Sequence, residues 1–244
     1  MQSLHGKIAV ITGAGSGIGL ATSKLFRQSG AVVIGVDKSF NQVKLPEGGD
    51  SADVRCDLKV SSDVGTLFRD LEKKYRLLNV IVNSAGIEMK GNVVEASVEN
   101  YELVMDTNVK STFLVCKYGI PLLLRSSNSG AVINLSSDLG LQPIPGVDTY
   151  AASKGAIIAL TKAMSKNWAK SGLRVNCVAP GPIDTPLLTR FQDPETLDFV
   201  KNVMLPQGRF GTPEEVARII AFLASDEASL INGAIITANG GLVG

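Results

Sequence analysis

The chain has 244 residues, 45% of them hydrophobic, enough to bury a substantial core within one α/β domain. Its formal net charge is +1, with lysine and arginine interspersed among aspartate and glutamate. That balance argues against nucleic acid or an acidic partner surface and favours a small, uncharged or weakly polar ligand.

The start, Met1 to Lys7, runs into the first predicted strand without a basic stretch and an apolar signal core, and no apolar run is long enough to span a bilayer. These features predict a soluble, cytoplasmic protein that does not enter the membrane. His5, the one histidine, lies just before that strand and away from other candidate ligands. A Ser-His-Asp triad or a histidine-ligated zinc site needs imidazole beside the chemistry, so both recede, and no metal is expected. The predicted elements begin with a strand over 7–11, a helix from about Gly17 to Ser29 and a strand over 31–36, the length of a βαβ unit. The next connection, Lys38 to Asp50, carries Pro46, Gly48 and Gly49 and leaves room for a turn or a short helix, not a full crossover helix. Further strands are expected over 53–56, 78–82, 131–135, 174–178 and 234–237, with helices near 61–75, 97–125, 150–171 and 213–224. This alternation is the rhythm of a doubly wound parallel sheet, in one domain covering 1–244 without repeats or linkers. Cys56, Cys116 and Cys177 lie far apart among apolar neighbours, as buried free thiols do in a reducing compartment.

The segment Thr12-Gly13-Ala14-Gly15-Ser16-Gly17-Ile18-Gly19 follows a strand and opens a helix. Glycines let backbone approach a pyrophosphate, and the helix N-terminus offers it amides and a positive dipole. The spacing G-x-x-x-G-x-G over Gly13, Gly17 and Gly19 departs from the common dinucleotide fingerprint, and as an isolated cluster it reads almost equally well as a tight turn. Asp37 changes the weighting. It ends the second strand, where a carboxylate accepts hydrogen bonds from adenosine ribose hydroxyls and repels a 2′-phosphate, so NAD is favoured over NADP. Lys38, next in sequence, softens that preference.

Tyr150 and Lys154 are four residues apart on a predicted helix and so share a face. Taken as an isolated pair they read better as a packing tyrosine beside a solvated lysine. In a shared site, two unit charges about 4 Å apart at an effective dielectric of about 20 interact by roughly 4 kcal/mol, enough to bring a phenol from near 10 towards about 7. Such a tyrosine exchanges a proton with an alcohol or carbonyl.

Together these segments resemble the short-chain dehydrogenase/reductase family over essentially the whole chain. The resemblance implies a Rossmann-type sheet of about seven strands with helices on both faces. The glycine segment looks like the family's cofactor motif, giving Gly13, Ser16, Gly17, Ile18 and Gly19, with Asp37, as cofactor residues. Asp57 and Leu58 look like the pair that holds adenine. Asn83-Ser84-Ala85-Gly86 is similar to Asn-Asn-Ala-Gly, with Ser84 in place of the second asparagine, and adds Asn83, Ala85 and Gly86. Pro180-Gly181-Pro182-Ile183-Asp184-Thr185 looks like the segment that meets the nicotinamide carboxamide, adding Pro180, Gly181, Ile183 and Thr185. Ala238-Asn239-Gly240-Gly241 stands where Asp-Gly-Gly is frequent.

The same resemblance implies a catalytic set of Asn108, Ser137, Tyr150 and Lys154, with Ser137 at a strand end thirteen positions before Tyr150 and Ser136 the less favoured hydroxyl. It assigns Asn108's backbone a water linking the lysine to solvent; the alternative, a residue that kinks a helix, is compatible with it. Lys154 and Tyr150 would also hold the nicotinamide ribose. Around the site lie Ile87, Glu88 and Met89, residues 138–147, and a lid over 187–205 with Leu188, Phe191 and Met204. Glu88 and Asp138 stand out because carboxylates beside an apolar pocket are costly unless solvated or paired. With Ser137 and Tyr150 they form the candidate substrate set, for a polyol, sugar derivative or cyclic diol. The leading expectation is an NAD-dependent secondary-alcohol dehydrogenase. A 3-oxoacyl thioester reductase using NADPH is the second, against which Asp37 speaks. A non-catalytic nicotinamide-binding protein would be expected to lose Tyr150, Lys154 or Ser137, and all are present. Relatives pair through the two long helices, which implies a homodimer or homotetramer.

Overall fold

The computed structural model describes residues 4–42, 44–45, 49–126, 130–190 and 193–242. Met1 to Ser3, Pro46, Gly48 and Phe191 therefore lie outside the described residues. Seven described strands form one sheet: β1 (Ile8–Thr12), β2 (Val32–Asp37), β3 (Ala52–Arg55), β4 (Val80–Asn83), β5 (Ala131–Leu135), β6 (Arg174–Pro180) and β7 (Ile235–Ala238). Their spatial order is β3-β2-β1-β4-β5-β6-β7 and each neighbouring pair is parallel. The central strands read Ile-Ala-Val-Ile-Thr and Val-Ile-Val-Asn because helices cover both of their faces.

The helices are α1 (Gly17–Gln28), α2 (Ser61–Tyr75), α3 (Val98–Met105), α4 (Ser111–Leu123), α5 (Asp148–Trp168), α6 (Pro186–Thr189), α7 (Pro194–Phe199) and α8 (Pro213–Ala224). Alternate strand residues feed two cores. Val10, Ile34, Ile81, Val132 and Val175 pack with Phe68, Val115, Ile120 and Met164 of α2, α4 and α5. Ala9, Ile11, Val33, Val82 and Ile133 pack with Phe26 of α1 and Val216 and Ile220 of α8. α8 starts with a reciprocal cap in which Thr212 accepts from the Glu215 amide and Glu215 accepts from the Thr212 amide, with Pro213 in the first turn.

Two expectations are refined. Where one helix was expected over 97–125, the chain makes α3, a π-helical turn over Asp106–Lys110, and α4. The extra residue lets the Asn108 side chain turn inward to Ile87, while the Ser111 and Thr112 hydroxyls donate to the Thr107 and Asn108 carbonyls of that turn. The described residues between β2 and β3 hold turns and no helix, as Pro46 and its neighbours predicted. Arg27 on Asp53 and the Tyr75 hydroxyl on the Asp50 carbonyl fasten that edge. The three cysteines are buried free thiols, pushed up to about 12, 12 and 11 for Cys56, Cys116 and Cys177 by burial first of all.

Arg174 at the start of β6 is 6% exposed and donates to the carbonyls of Leu223 and Ser225 at the end of α8. A cation there answers both the unpaired carbonyls and the negative end of the helix dipole. Arg174→Met should lower the unfolding free energy by about 3 kcal/mol, because hydrogen bonds from a charged group to buried acceptors are lost. Lys7→Met, which breaks an ion pair to the 72% exposed Asp226, should cost less than about 1 kcal/mol. Urea denaturation of the two variants measures the contrast.

Candidate active site

The sheet order reverses between β1 and β4, the switch point at which doubly wound sheets take ligands at the carboxyl ends of their strands. Thr12 at the end of β1 holds the two sides together: its hydroxyl accepts from the Ser84 and Ala85 amides at 3.0 and 3.2 Å and donates to the Val82 carbonyl. Gly13, at φ +67°, has room for no side chain, since a Cβ would lie 2.9 Å from Ala85. Gly19 meets the Gly13 carbonyl, so α1 presses directly on the turn. Ser16 caps α1 without a side-chain hydrogen bond and no acidic residue occupies the first turn. The amides at that end thus remain available to an anion. A Cβ on Gly17 would lie 3.2 Å from Thr185, which places the 180–185 segment over the same helix end.

Asp37 lies beside this turn, its carboxylate accepting from the Gly15 amide at 3.1 Å and from the Ser39 amide and hydroxyl at 2.9 and 2.8 Å. A side chain at Gly15 would fill the space next to that carboxylate. A glycine-lined cradle, an uncapped helix N-terminus and a carboxylate at the second strand's end fit the dinucleotide that the sequence implies.

The other sequence-derived residues divide. Asp57 accepts from the Lys59 amide at the exit of β3, close to Asp37, whose carbonyl accepts from the Cys56 amide. The Leu58 side chain packs into the core, so its main chain is what reaches that edge. Gly181 donates its amide to Ala238 and has space for no side chain, being pressed on Asn239 and Asp138. Ile18 and Ile183 pack on the α1/α8 core, and Thr185 donates to the Ile183 carbonyl. Asn83 departs from its expected cofactor role in its side chain. It is 3% exposed and donates to Asn134 at 2.8 Å, which donates in turn to Thr161 of α5. Thr12, Asn83, Asn134 and Cys177 stand in register across β1, β4, β5 and β6, so this polar row is interior structure. Asn83 Oδ1 has no hydrogen-bond partner among the described residues.

Tyr150 and Lys154 do share a face of α5, both buried, at 6% exposure each. The Lys154 ammonium lies 5.6 Å from the Tyr150 ring centroid and donates to the Leu135 carbonyl at 3.0 Å. Glycines make this possible: Gly86 faces the ammonium and Gly140 the backbone of Lys154. Ser136 donates to the Lys154 carbonyl at 2.8 Å, a structural tie between β5 and α5. Ser137, at the exit of β5, is close enough to Tyr150 to bear on its phenol. Asn108 grips the exit of β4, accepting from the Ile87 amide and donating to the Ile87 carbonyl and to the Ser153 hydroxyl. Ser153 donates to the Tyr150 carbonyl at 2.7 Å. Thus the kinking and the site-building roles of Asn108 coincide. Ser153 was not singled out in the sequence; a small polar residue three positions after Tyr150 on a buried helix face was the available signal.

Electrostatics here run opposite to the expectation of a phenol near 7. Burial holds the Tyr150 phenol well above its ordinary value, Glu88 and Asp138 add to the rise, and Ser137 opposes it. The buried Lys154 is pushed down to about 8 by desolvation, with Cys177 and Glu88 working against the fall. Burial accounts for most of the difference, and the ammonium is engaged by the Leu135 carbonyl and faces Cys177 and Glu88. Glu88 and Asp138 are both raised, chiefly by burial. In the 187–205 segment, Leu188 is half-buried and Phe199, Val203 and Met204 are exposed.

Among known proteins, the family model described as Enoyl-(Acyl carrier protein) reductase matches residues 13–243. The 3-oxoacyl-(acyl-carrier-protein) reductase FabG of Thermotoga maritima is 39% identical, over 98% of this chain and 99% of its own length. The 2,5-dichloro-2,5-cyclohexadiene-1,4-diol dehydrogenase of Sphingobium indicum is 35% identical over 99% of this chain and 98% of its own. The ligand-free aldohexose dehydrogenase of Thermoplasma acidophilum superposes with a TM-score of 0.89 at 32% identity, covering 99% of this chain and 96% of the other.

A lysine whose folded pKa lies near 8 against an ordinary value of 10.5 burdens the fold below pH 8. In the unfolded chain it binds more protons between those values, so its contribution to stability rises with pH across that window. Lys154→Met should therefore be more stable than the parent at pH 7 without nucleotide, by up to about 3 kcal/mol less the lost Leu135 bond. Urea denaturation at pH 7 and at pH 10 should show the gap closing.

Proposed function

The chain belongs to the short-chain dehydrogenase/reductase family, and from that premise we propose an NAD-dependent interconversion of a secondary alcohol and a ketone with Tyr150 as general acid and base. It is an NAD(P)-dependent oxidoreductase of CH–OH groups. The observation that carries the finer reading is the meeting of Ser137, Tyr150 and Lys154 at the carboxyl edge of the sheet, beside the glycine turn.

When bound, the nicotinamide supplies the hydride donor or acceptor. Gly13, Ser16, Gly17, Ile18 and Gly19 would hold the diphosphate at the α1 N-terminus, Asp37 would take the adenosine ribose, and Asp57, Leu58, Ala85 and Gly86 would line the adenosine side. Pro180, Gly181, Ile183 and Thr185 would meet the nicotinamide end, and Lys154 the neighbouring ribose. Tyr150 receives the substrate oxygen and gives or takes its proton, with the Ser137 hydroxyl beside it. Lys154 and Asn108 keep that proton path charged and in place. Burial of the phenol and its acidic neighbours hold it protonated at neutral pH, so alcohol oxidation should rise with alkaline pH.

Glu88 points to the substrate class. Its carboxylate is within electrostatic reach of Tyr150 and Lys154, yet makes no hydrogen bond or ion pair among the described residues. Lys90 and Lys154 already offset its charge. A neutral substrate with a second hydroxyl supplies the missing donor, which favours a polyol, sugar derivative or cyclic diol. The dehydrogenases of an aldohexose and a cyclic diol among the relatives support this choice. Reduction of a 3-oxoacyl thioester is the second reading, favoured by the 39% identity to FabG. Asp37, which would face a 2′-phosphate, speaks for NAD. The protein is read as one cytoplasmic catalytic domain whose 187–205 segment closes over the substrate.

Self-association is the expected partnership. Met105, Val109, Phe113, Ala156, Leu160 and Ala163 line an apolar groove between the α3/α4 turn and α5 that a second copy would cover, in a homodimer or homotetramer. Phe113→Glu, at a half-exposed position, should yield monomer by light scattering.

Tyr150→Phe should reduce turnover about 10²- to 10⁴-fold while NAD binding, followed by calorimetry, stays nearly intact. NAD and NADP are to be offered with cyclohexane-1,2-diol, D-glucose and cyclohexanol, and NADH and NADPH with acetoacetyl-CoA. Preferred turnover of the diol or sugar with NAD supports the leading reading; preferred reduction of the thioester with NADPH replaces it by the second. Asp37→Ala should move the NADP-to-NAD preference about tenfold or more towards NADP, equivalent to ~1.4 kcal/mol.

A further inference from the structure

Ser137 has one proton to give and two lone pairs to offer. The proton is already committed: the hydroxyl lies 3.0 Å from Asp138 Oδ1, a carboxylate oxygen that can accept it. One lone pair is taken by the Leu139 amide at 3.2 Å. That same amide also donates to Asp138 Oδ1 at 2.8 Å, so Oδ1 remains the accepting oxygen even if the carboxyl takes up a proton, which would then sit on Oδ2. What Ser137 has left for Tyr150 and for a substrate oxygen is a single accepting lone pair.

Asp138 is built into this position. It is 4% exposed, in the short turn directly after Ser137, and its Oδ2 lies 3.2 Å from where a Cβ on Gly181 would stand. With Oδ1 used twice and the residue almost fully enclosed, it reaches the reacting centre through Ser137. A buried carboxylate is costly without such bonds, and these two are what the fold supplies.

We propose, resting on the Tyr150 reading above, that Asp138 is a positioning residue: by taking the Ser137 proton it makes Ser137 an acceptor towards Tyr150 and so keeps Tyr150 as a neutral, proton-donating phenol. The phenol can donate to the free lone pair of Ser137. A phenolate in the same place faces that lone pair and loses the donor that would have stabilised it. A Ser137 hydroxyl donating to the phenolate opposes the raised Tyr150 pKa; with its proton directed to Asp138 it does not act in that sense. The other charged or titratable groups around the pair are Glu88, beyond β4, and Lys154, on α5; Lys90 faces Glu88 and Cys177 of β6 faces Lys154. None of them touches the Ser137 proton, so their influence is one of charge.

Charge and hydrogen-bond direction separate in two variants. Asp138→Asn removes the charge but retains an oxygen that accepts from Ser137 and Leu139, whereas Asp138→Ala removes both. The readout is the ionised fraction of Tyr150 between about pH 9 and 12 in the NADH-saturated protein, taken from tyrosinate absorbance with the trace of a Tyr150→Phe partner subtracted, so that a shift is read from the ionised fraction even where the midpoint lies at the top of the range. Turnover is not needed, so failure here and failure of the dehydrogenase reading are seen in different assays. The Tyr150 midpoint should fall in Asp138→Ala by about one pH unit more than in Asp138→Asn. Equal shifts in the two variants would assign the effect to charge and overturn the positioning role, and so would no shift in either. Circular dichroism checks that both remain folded. If the alanine variant is not, Ser137→Ala decides, since it removes the proposed acceptor and leaves every charge in place: the positioning role predicts that the Tyr150 midpoint falls, and a rise or no change overturns it.

Discussion

A lysine ammonium held inside the protein is the constraint on which the site depends. Lys154 is 6% exposed and its ordinary pKa is depressed to about 8, so the fold bears a desolvation cost that packing alone would avoid. Everything near it is arranged to make that cost tolerable. The Leu135 carbonyl accepts its proton, Gly86 leaves space for the ammonium, and Gly140 lets the turn after β5 lie directly against its backbone. Ser136 anchors its carbonyl, which ties the exit of β5 to α5 and so brings Ser137 to Tyr150. An interior cation supported on so many sides is the kind of stability sacrifice that function explains.

The sheet supplies the frame. Its order reverses between β1 and β4, and the two halves are locked at that point by Thr12 on the Ser84 and Ala85 amides. Asn108 makes the second lock, from the π-helical turn to Ile87, and through Ser153 to the Tyr150 carbonyl. The glycine turn on one side and Tyr150 on the other are consequently fixed relative to each other by main-chain and buried polar contacts. Such contacts hold position better than mobile surface side chains do. Around this frame the charges are unusually acidic. Burial first, then Glu88 and Asp138, raise the Tyr150 pKa, which makes its phenol a poor acid and places its base form at alkaline pH.

Much of this was legible in the sequence. Runs such as Val32 to Val36 and Val80 to Val82 declare strands buried on two faces, and the glycine turn between β1 and α1 declares its own context. Tyr150 and Lys154 share a buried face of α5 as their spacing implied, and Asn108 reaches that helix through Ser153. Hydrogen-bond direction was not legible. Asn83 sits in the cofactor motif, but its side chain is consumed by Asn134 in the sheet interior, a contact between residues fifty-one positions apart. The break in the 97–125 helix depends on Asn108 finding Ile87, again a tertiary partner that local propensity does not encode. The direction of the Tyr150 shift is hidden for a related reason: the Tyr-Lys spacing shows one charge, whereas burial and the carboxylates of Glu88 and Asp138 come from other elements.

The central claim is that this crevice moves a hydride between nicotinamide and a carbinol carbon under the control of Tyr150. The most direct test is to supply NADH dideuterated at C4 together with 2-hydroxycyclohexanone and to locate the label in the diol by mass spectrometry. The account predicts one deuterium on the carbinol carbon, with the rate of its appearance sharply reduced in Tyr150→Phe. No label in the product despite bound NADH, or labelling at an unchanged rate without the phenol, would contradict it.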